Sequence, residues 1–357
     1  MPRFSILIPT RDRPATLRHT LASVASQPGE DYEIVVADNC SGPESRRIVE
    51  ACGHPRIRYT RSDEILPMCD NWERGLSHCE GEYVTVLGDD DALVENALPH
   101  ARRLLGMVDV ELVSWSPHVY WWPDAIVPWN RNLLIVRTGR TPLWVDSRSA
   151  LTDFYGGTLR LDELPMIYHA FFHRRLIDEA SRRFGAFFRP REAAPDIASG
   201  ILGLHLTGRF LYAGRPLSIR GNSGKSNGTA QWARSLGAEQ RAVYFREERM
   251  GLEKMIHEAL VPSPNLHIIV ANAKLRCREL YFPDGEDLGP DLSALPLAMA
   301  RDLNSDPESY EDNLRDARAL AARLGRNLDP KSIPSKKKLG PPTWGPVSNE
   351  EGGLERI

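Results

Sequence analysis

Short apolar runs alternate with amphipathic stretches through the first hundred residues. Phe4 to Ile8 is a strand-like run closed by Pro9, and Pro14 to Ser26 carries Leu17, Leu21 and Val24 at near-helical spacing. Glu33 to Ala37, Arg56 to Thr60 and Tyr83 to Leu87 predict three more strands, with helices at Ser45 to Ala51 and Asn71 to Cys79 between them. Strand–helix–strand repetition of this kind predicts an α/β fold, with a parallel sheet covered by helices. From Glu111 to Val145 the pattern changes to aromatic, β-prone segments broken by Pro and Asn. Met166 to His173 predicts a strand, Arg175 to Arg183 and Asp196 to Leu206 helices, and Phe210 to Ala213 a short strand before the polar loop Arg220 to Gly228. Helical, charged candidates follow at Gln231 to Leu260, Leu266 to Tyr281 and Glu308 to Leu324. From Asp329 onward Pro, Lys and Gly dominate, so 329–357 is expected to be a disordered tail.

Composition narrows the class. A net charge of −3 offers no basic field for nucleic acid or an anionic membrane, so no nucleic-acid partner is expected. The five cysteines, Cys40, Cys52, Cys69, Cys79 and Cys277, include no C-x-x-C pair and fit a reducing compartment better than a disulfide framework. Met1 leads almost directly into the first strand, and no apolar run approaches the ~20 residues of a membrane helix. A cytoplasmic protein without a transmembrane segment is expected.

The strongest chemical signal is Gly88-Asp89-Asp90-Asp91 at the end of the fourth predicted strand. Three adjacent carboxylates repel one another unless a cation lies between them, and hard oxygens of this kind suit Mg²⁺ or Mn²⁺ shared with substrate phosphates. Ligands of open α/β sheets bind beyond the carboxyl ends of the strands, which is where this triplet falls. The competing reading is an acidic cap on a helix starting near Ala92. At the first strand's end, Pro9-Thr10-Arg11-Asp12-Arg13 offers a guanidinium fork for a phosphate and backbone that a base can approach. At the second, Asp38-Asn39 can accept a hydrogen bond from a nucleobase or ribose, or simply form an Asx turn.

These strand ends together resemble the inverting glycosyltransferases of family 2, with the GT-A fold. Ser5-Ile-Leu-Ile-Pro-Thr-Arg-Asp-Arg is similar to that family's opening strand, and Glu33-Ile-Val-Val-Ala-Asp-Asn-Cys-Ser to its uridine-binding strand. Gly81-Glu-Tyr-Val-Thr-Val-Leu-Gly-Asp-Asp-Asp resembles its metal-binding D-x-D segment, with Gly88 in the first position of the D-x-D-D that many relatives carry. The likeness covers about residues 3 to 105. It implies that Thr10 and Asp38 contact the nucleobase, that Arg13 contacts the diphosphate and that Asp89 lies near the ribose. Asp90 would lead the metal ligands, and which two of Asp89, Asp90 and Asp91 form the working pair stays open.

A weaker likeness continues through Phe172-His-Arg-Arg-Leu, Phe184-Gly-Ala-Phe, Pro195-Asp196 and Gly208-Arg-Phe-Leu-Tyr. It implies that Asp196 is the general base, with Pro195 where relatives have Glu and Glu192 as the reserve; otherwise Asp196 only caps its helix. Arg220 and Lys225 of the polar loop would reach the diphosphate, or the loop is a solvated linker. His169 and His173 have the spacing of a helical metal pair but fall on a predicted strand, which favours a structural role. Trp115, Tyr120, Trp121, Trp122 and Trp129 either stack on acceptor rings or pack locally.

The expected organisation is a Rossmann-like GT-A domain over 1–228, then a helical extension over 229–328 and the tail. The domain divides into a nucleotide-binding half near 1–105 and an acceptor half near 106–228. The expected function is Mn²⁺- or Mg²⁺-dependent inverting transfer from a nucleotide-diphosphate sugar, UDP-linked by preference, to a saccharide, lipid-linked or small-molecule acceptor. A silent sugar-nucleotide-binding or assembly module and a nucleotidyltransferase are the alternatives. The extension serves either homodimer formation or acceptor binding.

Overall fold

The structure, a computed structural model, describes residues 2–189, 192–282, 288–337 and 354–356. Its strands are β1 (Phe4–Thr10), β2 (Tyr32–Asp38), β3 (Ile57–Arg61), β4 (Tyr83–Val86), β5 (Ala92–Leu93), β6 (Leu112–Ser114), β7 (His118–Trp121), β8 (Leu134–Arg137), β9 (Leu143–Asp146), β10 (Ala170–His173), β11 (Arg209–Tyr212), β12 (Ser218–Asn222) and β13 (Leu354–Arg356). An eight-stranded sheet runs β3-β2-β1-β4-β10-β6-β11-β9, and a second sheet runs β13-β8-β7-β12-β5. The expected parallel pairing holds across β3, β2, β1 and β4 and between β6 and β11. β10 enters antiparallel between β4 and β6, so the large sheet is mixed.

Helices α1 (Pro14–Ala25), α2 (Pro43–Cys52), α3 (Met68–Leu76) and α4 (Ala97–Met107) belong to the first half, and α5 (Ser147–Gly156), α6 (Arg174–Phe184) and α7 (Pro195–Leu206) to the second. Alternation along β1 assigns the two faces of the large sheet. Phe4, Ile6 and Ile8 pack with Leu17, Leu21 and Val24 of α1 and Leu98 and Leu105 of α4. Leu7 faces the other way, into a core with Trp72 and Leu76 of α3 and Ile201 and Leu202 of α7.

The helical extension is α8 (Asn227–Trp232), α9 (Ala238–Glu247), α10 (Leu252–Met255), α11 (Leu266–Tyr281), α12 (Leu295–Arg301) and α13 (Tyr310–Arg323). The single helix expected over 231–260 is three, interrupted where Gly237 precedes α9 and where Arg249 takes a φ of 53° before Gly251. α11 packs on α7, and its Ile268 and Ile269 join the same core as Leu7. The strand expected over 166–173 begins as a 3₁₀ turn at Ile167–His169 and becomes β10 only at Ala170. Of the expected tail, 338–353 and 357 lie outside the described residues; before them Ile333 packs on a small core of Ala300, Leu303, Tyr310 and Leu314.

Close approach of α3 to the sheet depends on Gly75, where a Cβ would stand 2.7 Å from both Ala37 Cβ and Leu7 Cδ1. Overpacking a filled core typically costs roughly 1–3 kcal/mol. Gly75→Ala is therefore expected to destabilise the protein by that amount in a denaturant titration. A neutral result would show that α3 can move off the sheet without loss.

Candidate active site

The acidic triplet sits in a turn between β4 and β5. Leu87 still pairs with β1, its N–H donating to Leu7 O at 2.8 Å, and then Asp91 N–H closes the turn onto Gly88 O at 3.0 Å. The helix expected near Ala92 is absent; Ala92 and Leu93 pair with β12 instead, and α4 begins at Ala97. The cap reading of the triplet is thereby overturned. Gly88 has a packing reason, since a Cβ there would stand 2.9 Å from Asp91 Oδ2.

Each carboxylate is held by a different part of the chain. Asp89 accepts from Thr10 Oγ1 at 2.7 Å and from Arg13 Nη1 at 3.1 Å. Asp90 Oδ2 accepts from Ser223 Oγ at 2.6 Å and Ser223 N–H at 3.2 Å, with Arg13 Nη1 at 3.8 Å. Asp91 accepts from Gly221 N–H at 2.7 Å and, through its other oxygen, from Gly88 N–H at 3.1 Å. Burial pushes the Asp89 carboxyl up to about 6 against the pull of Arg13, and lifts Asp91 to about 7 with the Asp90 charge adding to it. Backbone carbonyls of the turn are tied as well, Asp91 O by Thr20 Oγ1 at 2.7 Å and Asp90 O by Trp122 Nε1 at 2.9 Å.

A cavity of about 860 Å³ opens beside this turn. Of the residues singled out from sequence, Pro9, Thr10, Arg13, Asn39, Asp89, Asp90 and Lys225 line it. The loop carrying Lys225 folds back over the end of β1: Lys225 Nζ donates to Asp12 O at 2.7 Å, and Arg13 Nη2 donates to Lys225 O. Of the two readings of this loop, the solvated linker does not hold at Lys225, which is tied to Asp12 and Arg13.

Asp38, Asp91, Arg220, Asp196 and Glu192 are not among the lining residues. Asp38 is fully buried and accepts from Tyr59 OH and Ser41 N–H, at 2.7 and 2.8 Å. Its neighbour Asn39 reaches the cavity while its side chain pins Leu66, accepting from Leu66 N–H and donating to Leu66 O, both at 2.8 Å. Arg220 is partly buried, and its Nε has no hydrogen-bond partner among the described residues. Desolvation lowers its pKa while the Asp91 charge opposes.

Asp196 lies in the first turn of α7, whose N-cap is Ala194, so it is not the cap of its helix. Pro195 takes the first helical position, where its missing N–H costs nothing. Burial raises the Asp196 carboxyl, and the Asp196 charge in turn acts on the hydroxyl of Tyr168, which does line the cavity. Glu192 is pushed up to about 7, mainly by desolvation. Cys69 Sγ donates to its backbone carbonyl at 3.4 Å.

The histidines do not form a pair. His169 is buried and driven down to about 3, while His173 Nδ1 accepts from Arg175 N–H at the start of α6. Trp115 is core, with Nε1 donating to Ser218 Oγ at 2.8 Å. Sequence reasoning missed Ser223, Gly221 and Trp122 as props of the triplet, and Trp72, Tyr168, Tyr244 and Glu248 as cavity wall. Ser223 lay inside a loop already singled out; Glu248, one acid in a charged helical stretch, carried no signal.

Two carboxyls outside the triplet, Glu248 buried and Glu192 half-buried, give a pH signature. Glu192, among Cys69, Cys277, Tyr244, Arg276 and Asp196, and Glu248, beside Met68 N–H, Asp70 and Glu247, are both raised to about 7 from an ordinary 4.5. A carboxyl that binds its proton more tightly when folded stabilises the fold at low pH, and that stability is lost as pH rises through the folded value. The ligand-free protein is thus expected to melt at lower temperature at pH 8 than at pH 5.5. Glu192→Gln should shrink the drop by roughly 2–5 °C in calorimetric melts. An unchanged drop would show that Glu192 ionises as freely folded as unfolded.

Comparison with known proteins agrees with this architecture. Residues 5–139 match the model of Glycosyl transferase family 2. The chain is 33% identical over 101 residues to the GalNAc(5)-diNAcBac-PP-undecaprenol beta-1,3-glucosyltransferase of Campylobacter jejuni, a span of 28% of this chain and 33% of that one. It is 34% identical over 98 residues to a PGL/p-HBAD biosynthesis glycosyltransferase of Mycobacterium tuberculosis, covering 26% of this chain and 38% of that one. The chain thus spans about a third of the length of the curated relatives it matches. Among solved structures it superposes on S. aureus TarS 1–349 in complex with UDP-GlcNAc with a TM-score of 0.50 at 15% identity, covering 91% of this chain and 93% of that one. No helix among the described residues is long and apolar enough to cross a membrane. Over residues 5–139 the chain is similar to glycosyl transferase family 2, and its architecture is the GT-A fold.

Proposed function

We propose that the chain transfers a sugar from a nucleotide-diphosphate donor, UDP-linked by preference, to an acceptor hydroxyl with inversion at the anomeric carbon. The observation that carries this reading is one cavity at the carboxyl ends of β1, β2 and β4 lined by Arg11, Arg13 and Lys225 together with Asp89 and Asp90. Cationic donors suit a diphosphate, and Thr10 and Asn39 suit the polar edges of a nucleoside. The family match and the TarS likeness support it.

The residues present fit a divalent cation of a particular kind. Among the described residues no three His, Cys, Asp or Glu side chains converge to hold a metal by themselves. Asp89 and Asp91 use both oxygens on protein donors, whereas Asp90 Oδ1 accepts no hydrogen bond among the described residues. Asp90 would therefore hold Mn²⁺ or Mg²⁺ through one oxygen, the donor's phosphates and water supplying the rest. Such a cation, when bound, offsets the charge that develops on the departing diphosphate. Arg13 and Lys225 share that task. Asp196 would take the acceptor's proton as the new bond to the anomeric carbon forms and the bond to the diphosphate oxygen breaks; a raised pKa makes it the stronger base.

A second reading, a silent sugar-nucleotide-binding module, is favoured by one observation: Asp196 and Glu192 do not line the cavity. Calorimetry with UDP, GDP, dTDP and CDP, each with and without Mn²⁺, separates the outcomes. UDP is expected to bind best and to need Mn²⁺, and Asp90→Asn should remove the metal dependence. Asp196→Asn should keep UDP binding yet slow transfer or donor hydrolysis by about 10²–10⁴-fold. Binding without turnover in the native chain would favour the silent module, and absence of binding to all four nucleotides would sink the donor site.

A further inference from the structure

The cavity is not uniform along its length. Arg11, Arg13 and Lys225 gather around the end of β1, whereas another part of the wall comes from α3 and from α9 with the turn after it. Glu248 joins the two elements, its Oε1 accepting from Met68 N–H at 2.8 Å. Met68 opens α3, so Glu248 is held at the helix's N-terminal end, one turn before Trp72. Trp72 meets Tyr168 edge-on with ring centres 5.1 Å apart. Tyr244 of α9, one turn before the capping residue Glu248, completes the wall, and its buried hydroxyl has no hydrogen-bond partner among the described residues.

The charge here is acidic. Glu248, Glu192 and Asp196 all act on the Tyr244 hydroxyl, and Asp196 with the Asp89–Asp91 triplet acts on that of Tyr168. The cationic side chains that α9 and its turn bring to the cavity, Arg246 and Arg249, are exposed, and Arg249 is bonded to Glu64 and to Ile65 O at 2.8 and 2.9 Å. The second oxygen of Glu248 accepts no hydrogen bond among the described residues.

We propose that Trp72, Tyr168, Tyr244 and Glu248 form a subsite for an uncharged pyranose ring, half of it supplied by the helical extension. This rests on the glycosyltransferase reading. The aromatic pair offers an apolar surface to the C–H face of a sugar, and Glu248 and Tyr244 offer polar atoms to its hydroxyls. A ring bearing a carboxylate or phosphate would bring a further negative charge among buried carboxylates, an arrangement that rejects it. The extension is thus a specificity element. Arg11 Nε on Glu247 at 2.5 Å ties it to the nucleotide side.

The ring belongs either to the donor or to the acceptor, and two arms tell them apart in the full chain with Mn²⁺ at pH 8, where Glu248 is ionised. Calorimetry compares UDP, UDP-GlcNAc and UDP-glucuronate. Saturation-transfer NMR compares methyl glucoside with methyl glucuronide in the presence of UDP. In one arm the neutral ring is expected to bind about tenfold better than the uronate. Glu248→Gln should cut that preference at least about threefold, because the repelling charge is gone. Trp72→Phe and Tyr244→Phe should weaken the neutral ring while UDP affinity stays within about twofold. A change in the donor arm assigns the ring to the donor, and a change in the glycoside arm assigns it to the acceptor. Equal binding of neutral and uronate rings in both arms, or a preference that Glu248→Gln leaves intact, overturns the subsite while UDP binding still upholds the parent reading. Failure of UDP itself to bind the native chain overturns both.

Discussion

Three carboxylates in a row, Asp89, Asp90 and Asp91, are 4, 9 and 6% exposed. Carboxylates taken from water need donors in its place, and neighbours of like charge sharpen the need. The surrounding architecture supplies those donors. Thr10 at the end of β1 and Arg13 before α1 serve Asp89, Ser223 serves Asp90, and the Gly221 backbone serves Asp91. The second sheet touches the large one at this turn for the same reason, since β12 brings Gly221 and the residue just after it is Ser223. A Cβ at Gly221 would lie 1.8 Å from Asp90 O, so the approach is as close as backbone allows.

This arrangement divides labour among three chemically identical side chains. Asp89 and Asp91 are committed to the protein, which fixes the turn, and Asp90 keeps an oxygen for the cavity. Arg13 sits between Asp89 and the Lys225 loop, so its fork is already oriented. Tyr168 and the partly buried Arg220 extend the same electrostatic neighbourhood toward Asp196, from the triplet at one end to α7 at the other.

The first hundred residues were legible because their signals are local. Short apolar runs such as Phe4 to Ile8 and Tyr83 to Val86 mark strands, and short polar clusters mark their ends. The acidic triplet was visible as composition, although its escape from a helix was not: Asp before Ala reads as a cap until β12 claims Ala92 and Leu93. Asp38 illustrates a different limit. Its position at a strand end is in the sequence, but the Tyr59 hydroxyl that occupies its carboxylate comes from an adjacent strand. Tyr244 and Glu248 were illegible because they reach the cavity only through packing between segments some 180 residues apart, as in the Met68–Glu248 bond. The expected 231–260 helix failed at Gly237 and Arg249, where local backbone turns override a continuous charged pattern.

The separation between Asp90 and Ser223 in the chain has a consequence in time. Synthesis proceeds from the N-terminus, and early segments begin to fold before later ones exist. When β1 to β4 have emerged, the triplet has Thr10 and Arg13 but lacks Gly221 and Ser223. Water must stand in for them, so the turn stays open and hydrated at that stage. Closure waits for β12, and the clasp of Arg11 on Glu247 waits longer still. The nascent chain therefore completes its buried acidic centre only once residues 221–223 have emerged, about 130 residues after the triplet itself.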